Sequence, residues 1–575
     1  MPTPQAASGA RSHEEPWWTS AVVYQIYVRS FADSDGDGVG DLRGVLNKVD
    51  YLSHLGVDIV WLSPIYPSPH DDGGYDISDY QDIDPLFGTL ADFDELVAAL
   101  HARGIKVVID LVVNHTSDEH PWFTAARSST SSPFRDWYWW RPARPGTTPG
   151  KPGSEPNNWR AAFSGSAWEF DESTQEYYLH LFSRRQPDLN WENPQVRQAV
   201  HQMMRWWLDR GVDGFRMDVI NMISKDVLLP DGLPIPQDDF GDGSPFYLCG
   251  PRLDEFLMEM RKEVLAGRDH VLTVGEMPNV TLEQARAITD RRSPRVDMVF
   301  QFEHVQVDQG PAGKFDVRTP RPADLKASLS RWQEGLATTG WNTLYLGNHD
   351  QPRSVSRFGG PGELHVPSAK ALATMLHLHR GTPFIFQGDE IGMANYPWRD
   401  VSEFRDIESL NHYRDRVERG EDPESVMRIL RVMSRDNART PMQWDSSPHA
   451  GFSTKIPWLN AHPDHTEVNV ERQLEDPDSV LNYYRRLIAL RHEEPAVSRG
   501  DFTLALPSHE QIYAFTRRHE RTELLVVTNL SGDEADAGSL PEASTWLEAR
   551  LLLANYPGEP TSWRLRPFET RVYRR

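Results

Sequence analysis

An arginine and an aspartate stand two positions apart in the apolar stretch 214–219. If this stretch is a β-strand, Arg216 and Asp218 point to the same face, because side chains alternate along a strand. An arginine beside an aspartate favours the ionised carboxylate. An ionised, positioned carboxylate can act as a nucleophile or stabilise a cation. A structural ion pair at a strand end is the alternative, and this motif alone does not separate the two.

Two further carboxylates and two histidines follow other predicted strands. Glu276 ends one β-rich run, and Asp350 follows His349 after another, while His115 follows a third. Alone, each carboxylate is more often a cap or a salt-bridge partner. Two carboxylates around one reacting carbon suit glycoside cleavage, because one protonates the leaving oxygen while the other attacks or stabilises the cationic centre. Clustering also raises the pKa of at least one of them, as a general acid requires.

The fold must bring these side chains together, and the β-rich runs indicate how. Predicted strands cover residues 22–28, 59–62, 105–113, 214–218, 271–275, 297–302, 343–347 and 383–387. Helical patterns lie between them, for example at 90–103 and 194–210. Eight strands alternating with helices predict the α/β class and a (β/α)₈ TIM barrel. Its active site would lie at the carboxyl ends of the strands, where the candidate residues stand.

The irregular spacings predict additional segments around this barrel. The expected organisation is a disordered tail at 1–16, a barrel formed by 17–114 and 191–499, an inserted subdomain at 115–190 after the third strand, a long excursion at 388–460 after the eighth strand, and an antiparallel β domain at 500–575. The insertion is far longer than a normal connection. Alternating runs at 511–516 and 523–529 indicate the C-terminal β domain.

Composition narrows the classes of partner. The 575-residue chain carries a net charge of −24, which argues against nucleic acid and anionic membranes. Its one cysteine, Cys249, excludes an intramolecular disulfide. The first sixteen residues lack the apolar core of a signal peptide, and no window approaches eighteen apolar residues, so no membrane span is expected. We expect a cytoplasmic protein, monomeric or weakly self-associating, that acts on a small substrate.

An acidic loop follows the first predicted strand. Its candidate ligands are the carboxylates of Asp33, Asp35, Asp37 and Asp41 and the carbonyl oxygen of Val39. This spacing resembles the first half of an EF-hand loop, although Gly44 stands where an EF-hand has glutamate. The loop predicts a structural Ca²⁺, with Mg²⁺ also compatible, and a solvated acidic turn is the alternative. No organic cofactor is expected.

Four sequence blocks resemble a known family. Residues 110–115, 214–218, 274–276 and 348–350 resemble the conserved regions of the α-amylase family of retaining glycosidases, family 13. The motifs QPDLN at 186–190, NHDQPR at 348–353 and SRDNARTPMQW at 434–444 are similar to the oligo-1,6-glucosidase and α-glucosidase subgroup. The resemblance runs from Trp17 into the last domain.

The resemblance implies roles for individual residues. Asp218 would be the nucleophile, Glu276 the acid/base, and Asp350 the group that holds sugar hydroxyls and stabilises the transition state. The remaining implied contacts to the cleaved glucose come from Arg216, His115, His349, Asp72, Tyr75, Phe163, Phe182 and Gln186. Arg439 would pair with Asp72 at the glucose 4-hydroxyl and close the pocket, so that only a chain end fits. The family's acidic loop also matches Asp33 to Asp41.

The implied reaction is a double displacement with retention, for which the two carboxyl groups should lie about 5–5.5 Å apart. Val219, directly after Asp218, resembles the valine of α-1,6-specific members, whereas alanine or threonine there is typical of α-1,4 maltases. Isomaltose, isomalto-oligosaccharides and panose are therefore the expected substrates, by exo-acting release of glucose from the non-reducing end.

Three alternatives remain beside this interpretation. The first is an α-1,4-glucosidase. The second is a sucrose isomerase or transglucosylase, although residues 314–321 match poorly the arginine- and aspartate-rich loop of isomerases. The third is a non-catalytic relative that serves as a transporter subunit, but such relatives have a membrane helix and have lost the acids, whereas this chain keeps all three carboxylates.

Overall fold

Within residues 15–236, 238–268 and 270–575, which the computed structural model describes, eight parallel strands form one sheet. Their bounds are Val23–Ile26, Ile59–Leu62, Lys106–Val112, Gly214–Asp218, Leu272–Glu276, Met298–Phe300, Thr343–Leu344 and Thr382–Phe386. Each of the eight predicted strands is present, and four of them are shorter than expected. We refer to them below as barrel strands one to eight.

The sheet closes into a barrel. Strand one pairs in parallel with strand eight, with Val23 opposite Phe384, and a parallel bridge between Val299 and Asn342 joins the sixth strand to the segment that leads into the seventh. The side chains of adjacent residues in strand four point to opposite faces of the sheet. Phe215 and Met217 point outward and belong to the large apolar cluster that includes the surrounding helices. Because side chains alternate, Arg216 and Asp218 face the barrel interior, as predicted.

The interior below the site is filled by its own apolar cluster. Val23, Trp61, Val274, Phe300 and Phe384 belong to it and are almost completely buried. A packed core rather than a pore therefore supports the carboxyl ends of the strands.

Helices surround the sheet. They are Leu42–Leu46, Val49–Leu55, Leu90–His101, Pro194–Asp209, Leu253–Met260, Leu282–Ile288, Pro322–Gly335, Ser354–Phe358, His365–His377, Val480–Glu493 and Pro495–Arg499. The two helices predicted by their patterns begin where expected. Thr89 and Asp92 form a capping box before Leu90–His101, and the Asn193 side chain caps Pro194–Asp209. These side chains satisfy backbone N–H groups that otherwise have no helical partner.

The insertion after strand three is a small antiparallel sheet with one helix. Helix Pro121–Arg127 precedes strands Trp140–Arg141, Trp168–Asp171 and Glu176–Leu179, the last of which is central. Tryptophans 139, 159 and 168 are buried in its core. The sequence left open whether such rings fill cores or stack on sugars, and these three fill a core.

The segment after strand eight folds over the mouth of the barrel. It contains helices Ile407–Glu418, Pro423–Met433, Asp436–Arg439 and Val470–Glu475. A hairpin after strand six, Gln309–Gly310 with Gly313–Val317, packs against it through Phe315. A short ribbon, Leu233–Pro234 with Gly241–Asp242, lies after strand four. Long loops at this face are the usual source of specificity in barrel enzymes.

The described residues from 501 onward form the predicted antiparallel β domain. Its five-stranded sheet runs in the order Asp501–Leu504, Ile512–His519, Thr522–Asn529, Thr570–Arg574 and Arg550–Ala554. A ribbon of Ala535–Asp536 and Arg564–Leu565 and the helix Ala543–Leu547 cover one side. The buried ammonium of Lys326 donates to the Leu506 carbonyl and thereby links this domain to a barrel helix.

The predicted tail at 1–16 falls mostly outside the described residues, which begin at Glu15. At the end of that tail, Glu15 pairs with Arg291 at 2.9 Å and the Pro16 carbonyl accepts a bond from Thr19. In the described part of the chain, no helix combines the length and apolar character needed to cross a bilayer.

Candidate active site

One arginine connects three carboxylates at the carboxyl ends of the strands. Arg216 Nη1 lies 2.6 Å from Asp218 Oδ1 and 2.8 Å from Asp110 Oδ1, and its Nη2 pairs with Glu276. Asp218 and Glu276 are the last residues of strands four and five. The predicted pairing of Arg216 with Asp218 is confirmed. Asp110 was missed, although it stands opposite Arg216 on the neighbouring strand and alternation along strand three would have placed it inside.

Burial governs the charge of this group. It raises the pKa of Asp218 and of Glu276, each to about 7, although Arg216 opposes the rise. Arg216 favours the ionised form of Asp218 as expected, but desolvation outweighs the arginine, so Asp218 is not held fully ionised at neutral pH. The charge of Asp218 also raises the pKa of Glu276. One ionised and one protonated carboxyl is the state that a nucleophile and a general acid require together.

Asp350 has the opposite electrostatic environment. Its carboxylate lies 3.1 Å from His349 Nε2, 2.9 Å from Arg439 Nη2 and 3.2 Å from Arg435 Nη1. Burial alone would raise the pKa of Asp350, but His349 and the two arginines hold it well below its usual range. Asp350 is therefore ionised across the physiological range and can accept hydrogen bonds from sugar hydroxyls.

Asp72 pairs with Arg435 and not with Arg439. Arg435 Nη2 lies 2.8 Å from Asp72 Oδ1, whereas Arg439 donates to the His349 carbonyl at 3.0 Å and pairs with Asp350. The predicted Arg439–Asp72 pair is wrong. Arg435 directly precedes the short helix Asp436–Arg439, and Arg439 is its last residue. The two arginines are therefore about one helical turn apart, which lets their side chains reach different partners. Burial raises the pKa of Asp72 to about 6 against the effect of Arg435.

Tyr75 and His349 form one side of the pocket. Their rings stack with centroids 5.0 Å apart and planes 6° from parallel. The Tyr75 hydroxyl lies 3.4 Å from Asp110, and His349 Nδ1 lies 2.8 Å from the Gln25 amide. Burial lowers the pKa of His349, which favours its neutral ring.

The insertion supplies an adjoining side, since His115 Nε2 lies 3.2 Å from the Tyr75 carbonyl. Gln186 Nε2 donates to Asp72 Oδ2 at 3.1 Å and lies 3.2 Å from His115 Nε2. His115 packs against Phe182, which in turn packs against Phe163 with ring centroids 5.8 Å apart. Burial lowers the pKa of His115, which favours its neutral ring. All four predicted residues of this side are therefore brought together.

These side chains surround a cavity of about 360 Å³. The predicted residues that line it are Asp72, Tyr75, His115, Phe163, Phe182, Asp218, Val219, Glu276 and Asp350. Arg216, Gln186, His349 and Arg439 lie behind this lining and hold it. The lining residues that the sequence did not indicate include Met222, Phe302, Gln306, Lys314, Gln351, Glu408 and Arg435. Most of them lie in loops after strands four, six and eight. Two belong to the quoted sequence motifs, Arg435 as the first arginine of SRDNAR and Gln351 in NHDQPR.

Val219 has an unusual backbone conformation. Its φ is 33° and its ψ is 41°, in the left-handed region that a β-branched residue rarely adopts. Its N–H donates to Glu276 Oε2 at 3.1 Å. The side chain is buried beside Met222 at the cavity wall. A strained residue of this kind persists only where its surroundings hold it, and such residues concentrate at functional sites.

The acidic loop brings three of its four carboxylates together. Ligand oxygens of Asp33, Asp35 and Asp37 lie within 4.8 Å of one another. Asp41 instead accepts bonds from the Ser34 and Gly44 N–H groups, both at 2.7 Å, and caps helix Leu42–Leu46. The carboxylate oxygens are the hard donors that Ca²⁺ and Mg²⁺ prefer. The donor set fits such an ion, with Asp33 also tied to Ser453 of the excursion at 2.5 Å.

The family model of the α-amylase catalytic domain matches residues 25–500, which include the end of barrel strand one and all of strands two to eight. The chain belongs to the α-amylase family. It is thus a glycoside hydrolase, and the arginine-bridged carboxylates lie at the position where barrel enzymes carry their chemistry.

Members of the α-amylase family similar to this chain carry different specific names. It is 54% identical to an oligo-1,6-glucosidase of Parageobacillus thermoglucosidasius over 98% of this chain and 99% of that protein. The structure of trehalose-6-phosphate hydrolase of Bacillus licheniformis shares 45% identity with a TM-score of 0.90, covering 97% of this chain and 100% of the other. Isomaltulose synthase of Klebsiella sp. LX3 shares 40% identity with a TM-score of 0.92, covering 97% and 99%.

Proposed function

We propose that the protein is a retaining, exo-acting α-glucosidase that releases glucose from the non-reducing ends of short α-glucosides and favours α-1,6 linkages. The observation that carries the proposal is the guanidinium of Arg216, which contacts both Asp218 and Glu276 beneath one cavity. The name of the Parageobacillus relative supports the α-1,6 preference.

In the proposed reaction Asp218 attacks the anomeric carbon while Glu276 protonates the bridging oxygen. The product of this step is a covalent β-glucosyl enzyme. Glu276 then acts as the base on water, and α-glucose leaves. The raised pKa of Glu276 supports its role as the acid, and Asp350, ionised by its neighbours, would hold the hydroxyls of the same glucose.

The exo preference would come from the Asp72–Arg435 pair. Asp72 and Arg435 are both buried and line the cavity, and Gln186 fixes the second oxygen of Asp72. A terminal glucose can offer its free hydroxyls to such a pair. An internal glucose is bonded to further sugars on that side, and the pair would obstruct them. This arrangement supports recognition of a chain end.

The linkage preference would come from Val219 and Met222, which lie at the cavity wall after Asp218. A difference of one or two methyl groups at such a wall changes binding of the transition state by about 1–3 kcal/mol, or about ten- to two-hundredfold in rate. Because the strained backbone fixes the direction of the Val219 side chain, its bulk would select the geometry of the leaving sugar.

The direct test compares initial rates on isomaltose, panose, maltose, sucrose and trehalose, with the products identified. Fastest hydrolysis of isomaltose or panose, with α-glucose as the first anomer seen by NMR, is the expected result. Faster turnover of maltose would favour the α-1,4-glucosidase alternative, and isomerised sucrose would favour a transglucosylase. Release of β-glucose would refute retention.

We also propose a structural Ca²⁺ or Mg²⁺ held by Asp33, Asp35 and Asp37, with the Val39 carbonyl and Asp41 completing the shell. For this, Asp41 would exchange part of its present hydrogen bonding for the ion. The ion would act on stability rather than on the reaction, since it would join the loop after strand one to the excursion through Asp33. Finally, we propose that the protein acts in the cytoplasm as a monomer or weak oligomer, in keeping with its single cysteine.

A further inference from the structure

Lys225 is completely buried close to the cavity but does not line it. Its ammonium lies 2.8 Å from Asp188 Oδ2 and donates to the Met222 carbonyl at 2.8 Å and to Asn114 Oδ1 at 3.1 Å. A buried ammonium is costly unless it is paired and hydrogen-bonded, and here three acceptors surround it. The reaction described above gives Lys225 no role.

Its three acceptors belong to three segments that each supply a wall of the cavity. Asn114 precedes His115 at the end of strand three, and its amide lies 3.3 Å from His115 Nδ1. Asp188 lies in the insertion two residues after Gln186 and pairs with His115 in an isolated bridge. Met222 ends the turn that follows Asp218. Lys225 is therefore the point where these segments meet.

The bond to Met222 restrains the turn that carries the linkage wall. The Met222 N–H donates to the Val219 carbonyl at 2.8 Å, which closes the turn Ile220–Met222. Carbonyls at the end of a helical turn have no partner within the helix, and Lys225 supplies the donor for that of Met222. Because Val219 is in a strained conformation, its position depends on contacts of this kind.

We propose that Lys225 is a positioning residue for the linkage preference: it holds the Val219–Met222 turn at a fixed distance from the His115 and Gln186 wall. The proposal rests on the α-glucosidase function proposed above. Loss of the ammonium would let the turn move away from that wall and widen the space for the leaving sugar, while the groups around Asp350 and Arg435 would keep their contacts.

The test compares two variants that differ only at position 225. Lys225→Met alone would leave the Asp188 carboxylate buried without a counter-charge, and Asp188→Asn removes that charge. Asp188→Asn leaves the Lys225 amine without its counter-charge but with its acceptors at Met222 and Asn114, so this variant and the unaltered protein together serve as the references for Lys225→Met combined with Asp188→Asn. Folding of both is checked by circular dichroism and thermal unfolding.

We expect the double variant to lower the isomaltose-to-maltose ratio of kcat/KM at least about fivefold relative to Asp188→Asn, mainly through a higher KM for isomaltose. The kcat on p-nitrophenyl α-glucoside, whose leaving group needs little help from this wall, should change less than about threefold. A purely structural lysine would lower stability and leave the ratio unchanged.

A folded double variant whose ratio stays within about twofold of its control would overturn the proposal. If the double variant does not fold, Lys225→Arg tests the same proposal. Its larger planar group keeps the charge beside Asp188 but displaces the Met222 carbonyl, so the ratio should fall, and an unchanged ratio overturns the proposal. Absence of isomaltose hydrolysis by the unaltered protein would instead refute the proposed function itself.

Discussion

Replacing Asp218 by asparagine should abolish turnover and, above neutral pH, stabilise the fold. Burial raises the pKa of Asp218 from 3.8 to about 7. Between about pH 4 and pH 7 the folded protein therefore binds more protons at this site than the unfolded chain does. Stability falls as pH rises through that window, because the folded state disfavours the ionised carboxyl. Asparagine has no charge and removes this cost.

The structure sets the size of the effect. A pKa that rises from 3.8 to about 7 corresponds to about 4 kcal/mol of lost stability above pH 7. This is an upper limit, since Arg216 loses one of its three carboxylate partners in the variant. We expect a gain of about 1–3 kcal/mol. Unfolding entropies of proteins scale with length, so in a chain of 575 residues this gain raises Tm by about 1–3 °C.

The assay is thermal unfolding of the unaltered protein and of Asp218→Asn at pH 8 and pH 5, at one scan rate. The difference in Tm should be positive at pH 8 and shrink by more than half at pH 5. Asp350→Asn is the control of opposite sign: its pKa is held low, so its charge stabilises the fold above pH 4 and its loss should lower Tm. A lower Tm of Asp218→Asn at pH 8 would mean that Arg216 outweighs burial and would refute this reasoning.

Three further outcomes are expected. Arg435→Met should lower kcat/KM on isomaltose about ten- to a hundredfold, because Asp72 loses its charged hydrogen-bond partner; a Tm and kcat/KM left intact would show that the pair is dispensable. Val219→Ala should raise kcat/KM on maltose relative to isomaltose about tenfold or more, and identical ratios in steady-state assays would contradict the valine argument. Chelation by EDTA should lower Tm reversibly, with recovery on adding Ca²⁺, whereas Asp35→Asn should weaken both responses; an EDTA-insensitive Tm would count against the ion.

Much of the fold and of the chemistry could be predicted because both depend on short-range rules. Alternation along a strand placed Arg216 and Asp218 on one face, and the strand ends placed Glu276 and Asp350 beside them. Capping side chains such as Thr89 set helix starts within a few residues. These features depend on residues that are close together in the sequence, so the structure agrees with the predictions made for them.

What could not be predicted depends on segments that meet only in the folded chain. Arg435 and Arg439 are equivalent by sequence, and only the packing of residues 388–460 over the barrel assigns one to Asp72. The charge of Asp218 likewise depended on how completely other segments exclude water from it. The sequence did not indicate a role for Lys225, because its partners Asn114 and Asp188 come from distant parts of the chain.

The pairing of strands one and eight, which closes the barrel, has a consequence for synthesis on the ribosome. Strand one, Val23–Ile26, pairs with strand eight, Thr382–Phe386, which is translated some 360 residues later. At the usual rate of elongation this interval lasts roughly 20–70 s. During it one edge of strand one has no native partner, and unpaired edges template aggregation. The nascent chain therefore carries an unpaired strand edge until residue 386 has emerged, and the pocket, which also needs Arg435, forms only afterwards.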